Sequence, residues 1–422
     1  MPEQFLHFVW QRRLFSAMPQ QTTDGREVQV IDPGQLNGDS GPDFFNAKVR
    51  IDGVYWAGNV EVHSRASEWY HHGHHCDRAY DNIILHVVGQ DDIAVTRADG
   101  SCVPQMVLRY PPHIEGLYSQ WCADKGLIAC RERVAQVPKV FTHNWLEVLA
   151  IERLSVKSQA IDMLTASSQG DAEQAFYVML ARAFGFHTNS VPFELTARSL
   201  PLKVIERHRG SKLQVEALLF GQASLLKQAD EYSRRLMSEH AFLSHKFNLK
   251  PIDSTLWKWM RMRPGGFPTI RMAQFCQLLY SHERLMGLLT ESADIEGIIR
   301  TLMVRAGSYW DTRYDFGGAE SNPTPKHLGE RSAYSLIINV VVPFVYYKGL
   351  KQDNADKAAR ALDMLSALPP EDNSIIKQWR ACGVIPQNAL DTQALLQLTE
   401  KYCKNHGCLR CRLAYKMLKG AQ

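Results

Sequence analysis

Two carboxylates and a histidine stand where strand geometry brings them together. Asp43 follows Pro42, and 17 residues separate it from Glu61 in the run Asn59-Val60-Glu61-Val62-His63. In between, Ala47 to Ile51 alternates like a strand, Asp52-Gly53 signals a tight turn, and Val54 to His63 returns as the partner strand. A short hairpin sets the start of its first strand beside the end of its second, so Asp43 and Glu61 meet. Strand side chains repeat every two residues, which puts Glu61 and His63 on one face. Two carboxylates so placed share a hard divalent cation, Mg2+ or Mn2+. Such a metal lowers the pKa of a bound water and offsets charge on a phosphoryl group. His63, one pleat beyond Glu61, then orients or deprotonates that water. The plainer alternative is that Asp43 caps a turn and Glu61 sits on a solvated strand face.

A histidine cluster follows. His63, His71, His72, His74, His75 and His86 fall within 24 residues, six of the 16 histidines in the chain. Such density beside a strand reads as metal or phosphate handling, and His72, His74 and Asp77 make a zinc set, though not with zinc-finger spacing. A structural account also fits, with Trp69 and Tyr70 packed down and the histidines bonded to loop carbonyls. His86 lies in the apolar run Ile83 to Val88, either as a satisfied core residue or pointing into the pocket of Glu61 and His63.

Near the C-terminus, Cys403, Cys408 and Cys411 supply three thiolates for a second metal, Zn2+ by chemistry, with a fourth ligand to come from elsewhere. His406 lies inside that loop and Cys382 upstream. The other reading is three reduced thiols.

Charge is uneven. The net formal charge is only +4, yet between Arg198 and Arg271 there are 14 Lys/Arg against 6 Asp/Glu. Arg207, Arg209, Arg261, Arg263 and Arg271 stand near Trp257, Trp259 and Phe267, a mixture suited to phosphates and stacked bases. The bland reading is buried tryptophans and solvated arginines. Arg263 to Pro268 is a shaped loop rather than a P-loop, since no Gly-Lys-Ser/Thr follows.

The elements that position these groups fall into two parts. Glu3 to Ala17 reads as a helix, Glu27 to Ile31 as a strand, and the hairpin follows. The polar stretch Ser64 to Asp81 is a crossover. Ile83 to Val88 is almost continuously apolar, as in a central strand covered on both faces. Ile93–Thr96 and Val103–Arg109 read as a further hairpin. Pro111-Pro112 marks a boundary, and from His143 the periods are helical. The expectation is an α+β protein: an α/β domain with a mixed sheet over 1–112, then a mostly helical domain over 113–422.

At 422 residues, two domains are the natural division. The N-terminus has no secretory pattern. The strongest apolar run, Leu336 to Tyr347, is interrupted by Asn339 and Pro343 and is too short to span a bilayer. A cytoplasmic protein with reduced thiols and no membrane contact is expected.

The hairpin resembles the PD-(D/E)XK nuclease superfamily, in which Pro-Asp opens one strand and Glu-X-Lys stands on the next. That resemblance implies a core order of helix, three strands, helix, strand. It further implies that Asp43 and Glu61 ligate metal, assisted by an acid on the first helix, here Glu3. Histidine stands in place of the lysine at position 63, which puts activity in question more than fold. Some of these nucleases carry an iron–sulfur cluster on one distant and three C-terminal cysteines, which makes Cys122, Cys130 and Cys382 the distant candidates. The whole chain also resembles a bacterial family of unknown function. Gly41-Pro42-Asp43-Phe44, Gly58 to His63, Trp69, His72, His74, Asp77, Tyr80, Asn189, Pro192-Phe193, Arg263-Pro264, Phe267-Pro268, Tyr402-Cys403, Cys408 and Cys411 carry that likeness.

Three classes stay open on sequence alone. They are a divalent-metal nuclease acting on DNA or RNA, a non-catalytic nucleic-acid-binding protein on the same fold, and a zinc-dependent hydrolase using the histidine cluster.

Overall fold

The computed structural model describes residues 2–15 and 18–420. The chain forms an N-terminal mixed sheet and a mostly helical remainder, so it is α+β. Helix α1 (Glu3–Gln11) comes first and buries Phe5, Leu6, Phe8, Val9 and Trp10. It stops short of Ala17, which with Ser16 lies outside the described residues. Strands β1 (Gln20–Gln21), β2 (Glu27–Asp32), β3 (Gln35–Leu36), β4 (Phe44–Ile51), β5 (Val54–Arg65), β6 (Ile83–Gln90) and β7 (Gln105–Val107) follow.

The sheet order is β1-β2-β4-β5-β6-β7, with β3 paired to β4. The pairs β1–β2, β2–β4 and β4–β5 are antiparallel, and β5–β6 and β6–β7 are parallel. The expected hairpin is present, with Ile51 opposite Val54 across the Asp52-Gly53 turn. Asp52 and Gly53 both take positive φ, the conformation that a two-residue turn of this kind requires. A parallel pair cannot be joined by a tight turn. The chain therefore crosses from β5 to β6 through helix α2 (Glu68–His71) and two short 3-10 turns, His74–Cys76 and Arg78–Tyr80. This crossover carries the histidines. Residues Ile83 to Val88 of β6 are all buried, as their unbroken apolar run implies.

The Ile93–Arg109 segment differs from expectation. Only an isolated bridge joins Thr96 and Cys102, and Gln105–Val107 pairs with β6 in parallel. The local turn signal at Asp99-Gly100 was right, but the edge of β6 offered a longer ladder than the hairpin did.

The chain divides into two compact units. The first comprises Met1–Thr142, Ala381–Val384 and Leu398–Gln422; the second comprises His143–Arg380 and Ile385–Gln397. The first unit thus runs past the Pro112 boundary and takes in two later segments, because helix α3 (Pro112–Ala123) and the final helix Arg412–Gly420 pack on one another.

In the second unit, Tyr177, Phe184 and Phe193 gather around Phe275. Its most apolar helix is longer than the run Leu336 to Tyr347: Glu330–Lys351 is one helix of 22 residues. By length and composition it is apolar enough to cross a membrane, and 72% of its most apolar window is buried inside the structure. A π-turn at Ile337–Val341 precedes Pro343, where the missing N–H breaks the regular ladder.

Candidate metal centre

Register brings the acids together. Phe44 lies opposite Val60, so Asp43 falls beside Glu61. The two are tied reciprocally: the Asp43 N–H donates to Glu61 Oε2 at 3.0 Å, and the Val62 N–H donates to Asp43 Oδ2 at 3.0 Å. Gly58 lets β5 approach its neighbour here. A Cβ at that position would stand 2.5 Å from Ile84 Cγ2 and 2.8 Å from the Asn82 carbonyl oxygen.

Glu61 and His63 share a face, as alternation requires, and both are buried, with Glu61 Oε1 lying 3.6 Å from His63 Nε2. The crossover adds His72 and His74. Ligand nitrogens of His63, His72 and His74 all lie within 4.8 Å of one another, the one such group of histidine, cysteine or acidic side chains among the described residues. Glu61 Oε1 is 3.1 Å from His74 Nε2. That nitrogen is buried, yet no aligned hydrogen bond reaches it. An imidazole nitrogen and a carboxylate oxygen at this separation are close enough to serve as two ligands of one ion.

A hydrogen-bonded chain fixes the tautomer of His63. The Gln105 amide nitrogen donates to Asp91 and to the Ile93 carbonyl, so its oxygen faces His86 as an acceptor. His86 Nδ1 therefore donates to Gln105 Oε1, at 3.0 Å. The remaining His86 nitrogen accepts from His63 Nδ1, at 2.8 Å. That leaves the lone pair of His63 Nε2 directed at the cluster, 3.2 Å from His72 Nδ1. Orientation of a ligand histidine through its far nitrogen is the usual support of a metal site. Burial, then the neighbouring imidazoles, lowers the His63 pKa to about 2. Burial likewise lowers that of His86 to about 4. Both rings are thus neutral, the form in which imidazole binds metal.

The acids respond to the same surroundings. Burial raises the Glu61 pKa, and the Asp43 charge adds to the rise while His74 opposes it. Burial raises that of Glu3 as well. His7, one turn along α1 from Glu3, bonds Asp43 Oδ2 through Nε2 at 3.1 Å. Burial disfavours its cation, but the Asp43 hydrogen bond and the charges of Asp43 and Glu3 outweigh this and raise its pKa.

Not every expected residue joins the cluster. Asp77 is exposed and caps a 3-10 turn, its Oδ1 accepting from the Ala79 N–H at 2.9 Å, and it lies outside the group of His63, His72 and His74. Glu3 reaches the cluster through His7, at 3.8 Å. His7 and Gln105 carry no expectation from the sequence, and His86, open there between core and pocket, is both buried and bonded to His63. A signal existed for His7, at four residues from Glu3, and for His86, opposite Glu61 in the β5–β6 register. Gln105 had none, because its role depends on β7 pairing in parallel.

Cys403, Cys408 and Cys411 lie in the first unit. The five arginines lie in the second. Arg207, Arg261 and Arg263 are exposed, while Arg209 is half-buried near Glu206 and Arg271 is half-buried over the Phe186 ring. Trp257 is buried and bonds the Ala223 carbonyl at 2.7 Å, so it is core rather than a stacking platform.

Fold and site together define an α+β protein in which Glu61 and His63 of β5 gather with His72 and His74 of the crossover that follows it. The chain belongs to the family described as "Protein of unknown function (DUF2851)", which matches residues 3–374. No curated protein and no solved structure matches it.

Proposed function

We propose that this protein is a divalent-metal-dependent phosphodiesterase, a nuclease-like enzyme whose metal is held by Glu61, His63, His72 and His74 beside Asp43. The observation that carries the reading is the convergence of three imidazoles, two buried and that of His72 exposed, beside a buried carboxylate. A mixed imidazole–carboxylate set suits Zn2+ or Mn2+ better than the Mg2+ expected of two carboxylates alone. A metal bound there supplies Lewis acidity toward a phosphoryl oxygen and acidifies a water.

The chain's own groups have separable tasks. His63, His86 and Gln105 hold one ligand in its required tautomer. Asp43 and Glu3 favour the protonated form of His7, the form that donates a proton to a leaving oxygen. His7 also lines a cleft of about 520 Å³ with Gln4, Gln11, Asn405, His406 and Arg410. Its lining includes the Arg410 guanidinium, two imidazoles and three amides but no carboxylate, which favours an anionic substrate. We further read the sheet as a PD-(D/E)XK core with histidine in the lysine position, on the placement of Asp43 at the head of β4 and Glu61 within β5.

The test is incubation of the purified protein with labelled single- and double-stranded DNA and RNA, with Mn2+, Zn2+ or Mg2+ in turn. Cleavage that is stronger with Mn2+ or Zn2+ than with Mg2+, and lost in Glu61→Ala and His72→Ala, is the expected result. Cleavage that survives in both variants would end this reading. Binding without cleavage would instead assign a non-catalytic nucleic-acid-binding role. A second reading, a zinc-dependent hydrolase of small substrates, is favoured by the cleft, whose volume is that of a small-ligand pocket. Turnover of a chromogenic phosphodiester without any nucleic-acid cleavage would select it.

A further inference from the structure

A second cavity lies within the helical unit, away from the histidines. It measures about 250 Å³ and is lined from the helix Lys212–Gln222, the helix Glu231–Phe247 and the 3-10 turn Ser308–Asp311. Its lining carries ionisable groups of both signs, Lys212, Glu216 and Arg235, beside the rings of Tyr232 and Tyr309. All five residues belong to the second compact unit.

Glu216 needs the most explanation. Its side chain is only 5% exposed. A carboxylate buried so deeply is costly unless it is fully paired. Glu216 is half paired. Its Oε2 accepts from the Tyr232 hydroxyl at 2.7 Å, whereas Oε1 has only Lys212 Nζ, at 3.9 Å and beyond hydrogen-bond reach. Burial accordingly raises the Glu216 pKa, with Tyr232 and Lys212 opposing the rise. Lys212 and Glu216 stand one turn apart, the spacing of an ordinary surface ion pair. Such a pair needs neither a buried carboxylate nor a cavity beside it.

The surroundings hold these groups in place. Tyr232 stacks on Tyr309 with ring centroids 4.2 Å apart. The Tyr309 hydroxyl donates to Asp230 Oδ2, and Asp230 Oδ1 accepts from the Ser233 N–H at 2.8 Å in the capping box of the helix that carries Tyr232. The partner of the Glu216 carboxylate is thus fixed from two sides. The turn is shaped around Lys212. Gly307 takes a φ of 106°, and a Cβ there would stand 3.0 Å from Lys212 Nζ. Groups already ordered cost a ligand little further entropy on binding.

Among the described residues, neither Lys212 nor Arg235 has a hydrogen-bond acceptor for its side chain. The cavity therefore presents one half-paired carboxylate and two unsatisfied cations. A simple cation would be repelled by Lys212 and Arg235. A simple anion would leave Glu216 Oε1 bare. A molecule that carries both signs satisfies all three groups. An α-amino acid carries ammonium and carboxylate on one carbon atom, and so lies antiparallel to a carboxylate and an ammonium 3.9 Å apart. Size agrees, since pockets for drug-sized ligands run from roughly 300 to 1,000 Å³ and this one is smaller.

We propose that this cavity binds a free α-amino acid, with its ammonium on Glu216 Oε1 and its carboxylate between Lys212 and Arg235. The site is independent of the histidine ligands and gives the helical unit a small-molecule specificity of its own.

The test is isothermal titration calorimetry of the full-length chain with each of the common L-amino acids. At least one should bind at a single site. Its N-acetyl derivative lacks the ammonium and its carboxamide lacks the carboxylate, so each should bind roughly 10-fold or more weakly. These two derivatives probe the assignment on the unaltered protein, whatever happens to a variant. Glu216→Gln keeps an acceptor for Tyr232, and Lys212→Met keeps the apolar stem. Each should weaken binding by a similar factor with an unchanged thermal melt. Silence of every amino acid at millimolar concentration, equal affinity for the N-acetyl derivative, or full affinity in both variants would each overturn the proposal. Equal affinity for the matching 2-hydroxy acid would do the same, because Glu216 would then be reading a hydroxyl rather than an ammonium.

Discussion

His74 Nε2 lies 3.1 Å from Glu61 Oε1 without an aligned hydrogen bond between them. Two groups from different parts of the chain, one in β5 and one in the crossover, meet there. Replacing either should therefore weaken metal binding rather than merely remove a polar contact. His74→Ala and Glu61→Gln are expected to lower affinity for Mn2+ or Zn2+ at least 10-fold, read by calorimetry on the metal-stripped protein. Unchanged affinity in both would remove this pair from the ligand set.

Gln105 touches no proposed ligand, yet it sets the tautomer of His63 through His86. Gln105→Leu leaves His86 Nδ1 buried without an acceptor, at a cost of about 1–3 kcal/mol. It also frees His63 to turn its protonated nitrogen inward. Loss of such outer support typically costs about 10–100-fold in metal affinity. Gln105→Glu retains an acceptor and should recover most of that affinity, which a purely packing role for Gln105 would not predict.

The buried imidazoles make the metal-free protein acid-sensitive. His63 and His86 have pKa values of about 2 and about 4 in the fold, below the ordinary 6.5. Above pH 6.5 neither binds a proton in either state, so neither affects stability. As pH falls below that point the unfolded chain gains protons that the native one refuses. Stability should then drop by up to about 1.4 kcal/mol per pH unit for each ring, down to the folded pKa. His7, with its raised pKa, works in the opposite direction and offsets part of this. Urea denaturation at pH 7 and pH 5 checks the slope, and His86→Gln should flatten it.

Gly58 supports the site from beneath. A methyl group there meets Ile84 Cγ2 and the Asn82 carbonyl oxygen. Gly58→Ala should cost about 1–3 kcal/mol by overpacking. It should also loosen the β5–β6 pairing that aligns Glu61 with His86. A thermal melt indistinguishable from the unaltered protein would contradict this.

The basic residues of the helical unit divide by burial. Arg271 lies half-buried over Phe186 and bonds Gln274, so Arg271→Ala should lower stability whether or not nucleic acid binds. Arg261 and Arg263 are exposed, and their removal should leave stability unchanged. If this face meets a phosphate backbone, the double variant should bind DNA or RNA more weakly and with a shallower salt dependence. Identical affinity and slope would show that the charges are simply solvated.

Much of the site was legible because strand periodicity is strict. The Asp52-Gly53 turn fixed the hairpin register, and register alone aligned Asp43 with Glu61 and set His63 on the Glu61 face. The density of histidine between Ser64 and His86 pointed to the crossover, but not to which ring turns inward. Asp77 shows the limit: its spacing from His74 suits ligation, yet an Asp preceding a turn is equally suited to cap it, and the cap prevailed.

The sequence by itself determined the local features: the hairpin, the doubly covered strand Ile83–Val88, the change to helical periods after His143 and the three C-terminal cysteines. Each is written in the spacing of neighbouring residues and rests on turn chemistry or side-chain alternation. Tertiary structure alone decided that β7 runs parallel to β6, which puts Gln105 behind His86. It alone returned Cys382 and the C-terminal segment to the first unit. Those choices depend on which distant surfaces bury most area and satisfy most backbone groups together, a competition across the whole chain that no local pattern records.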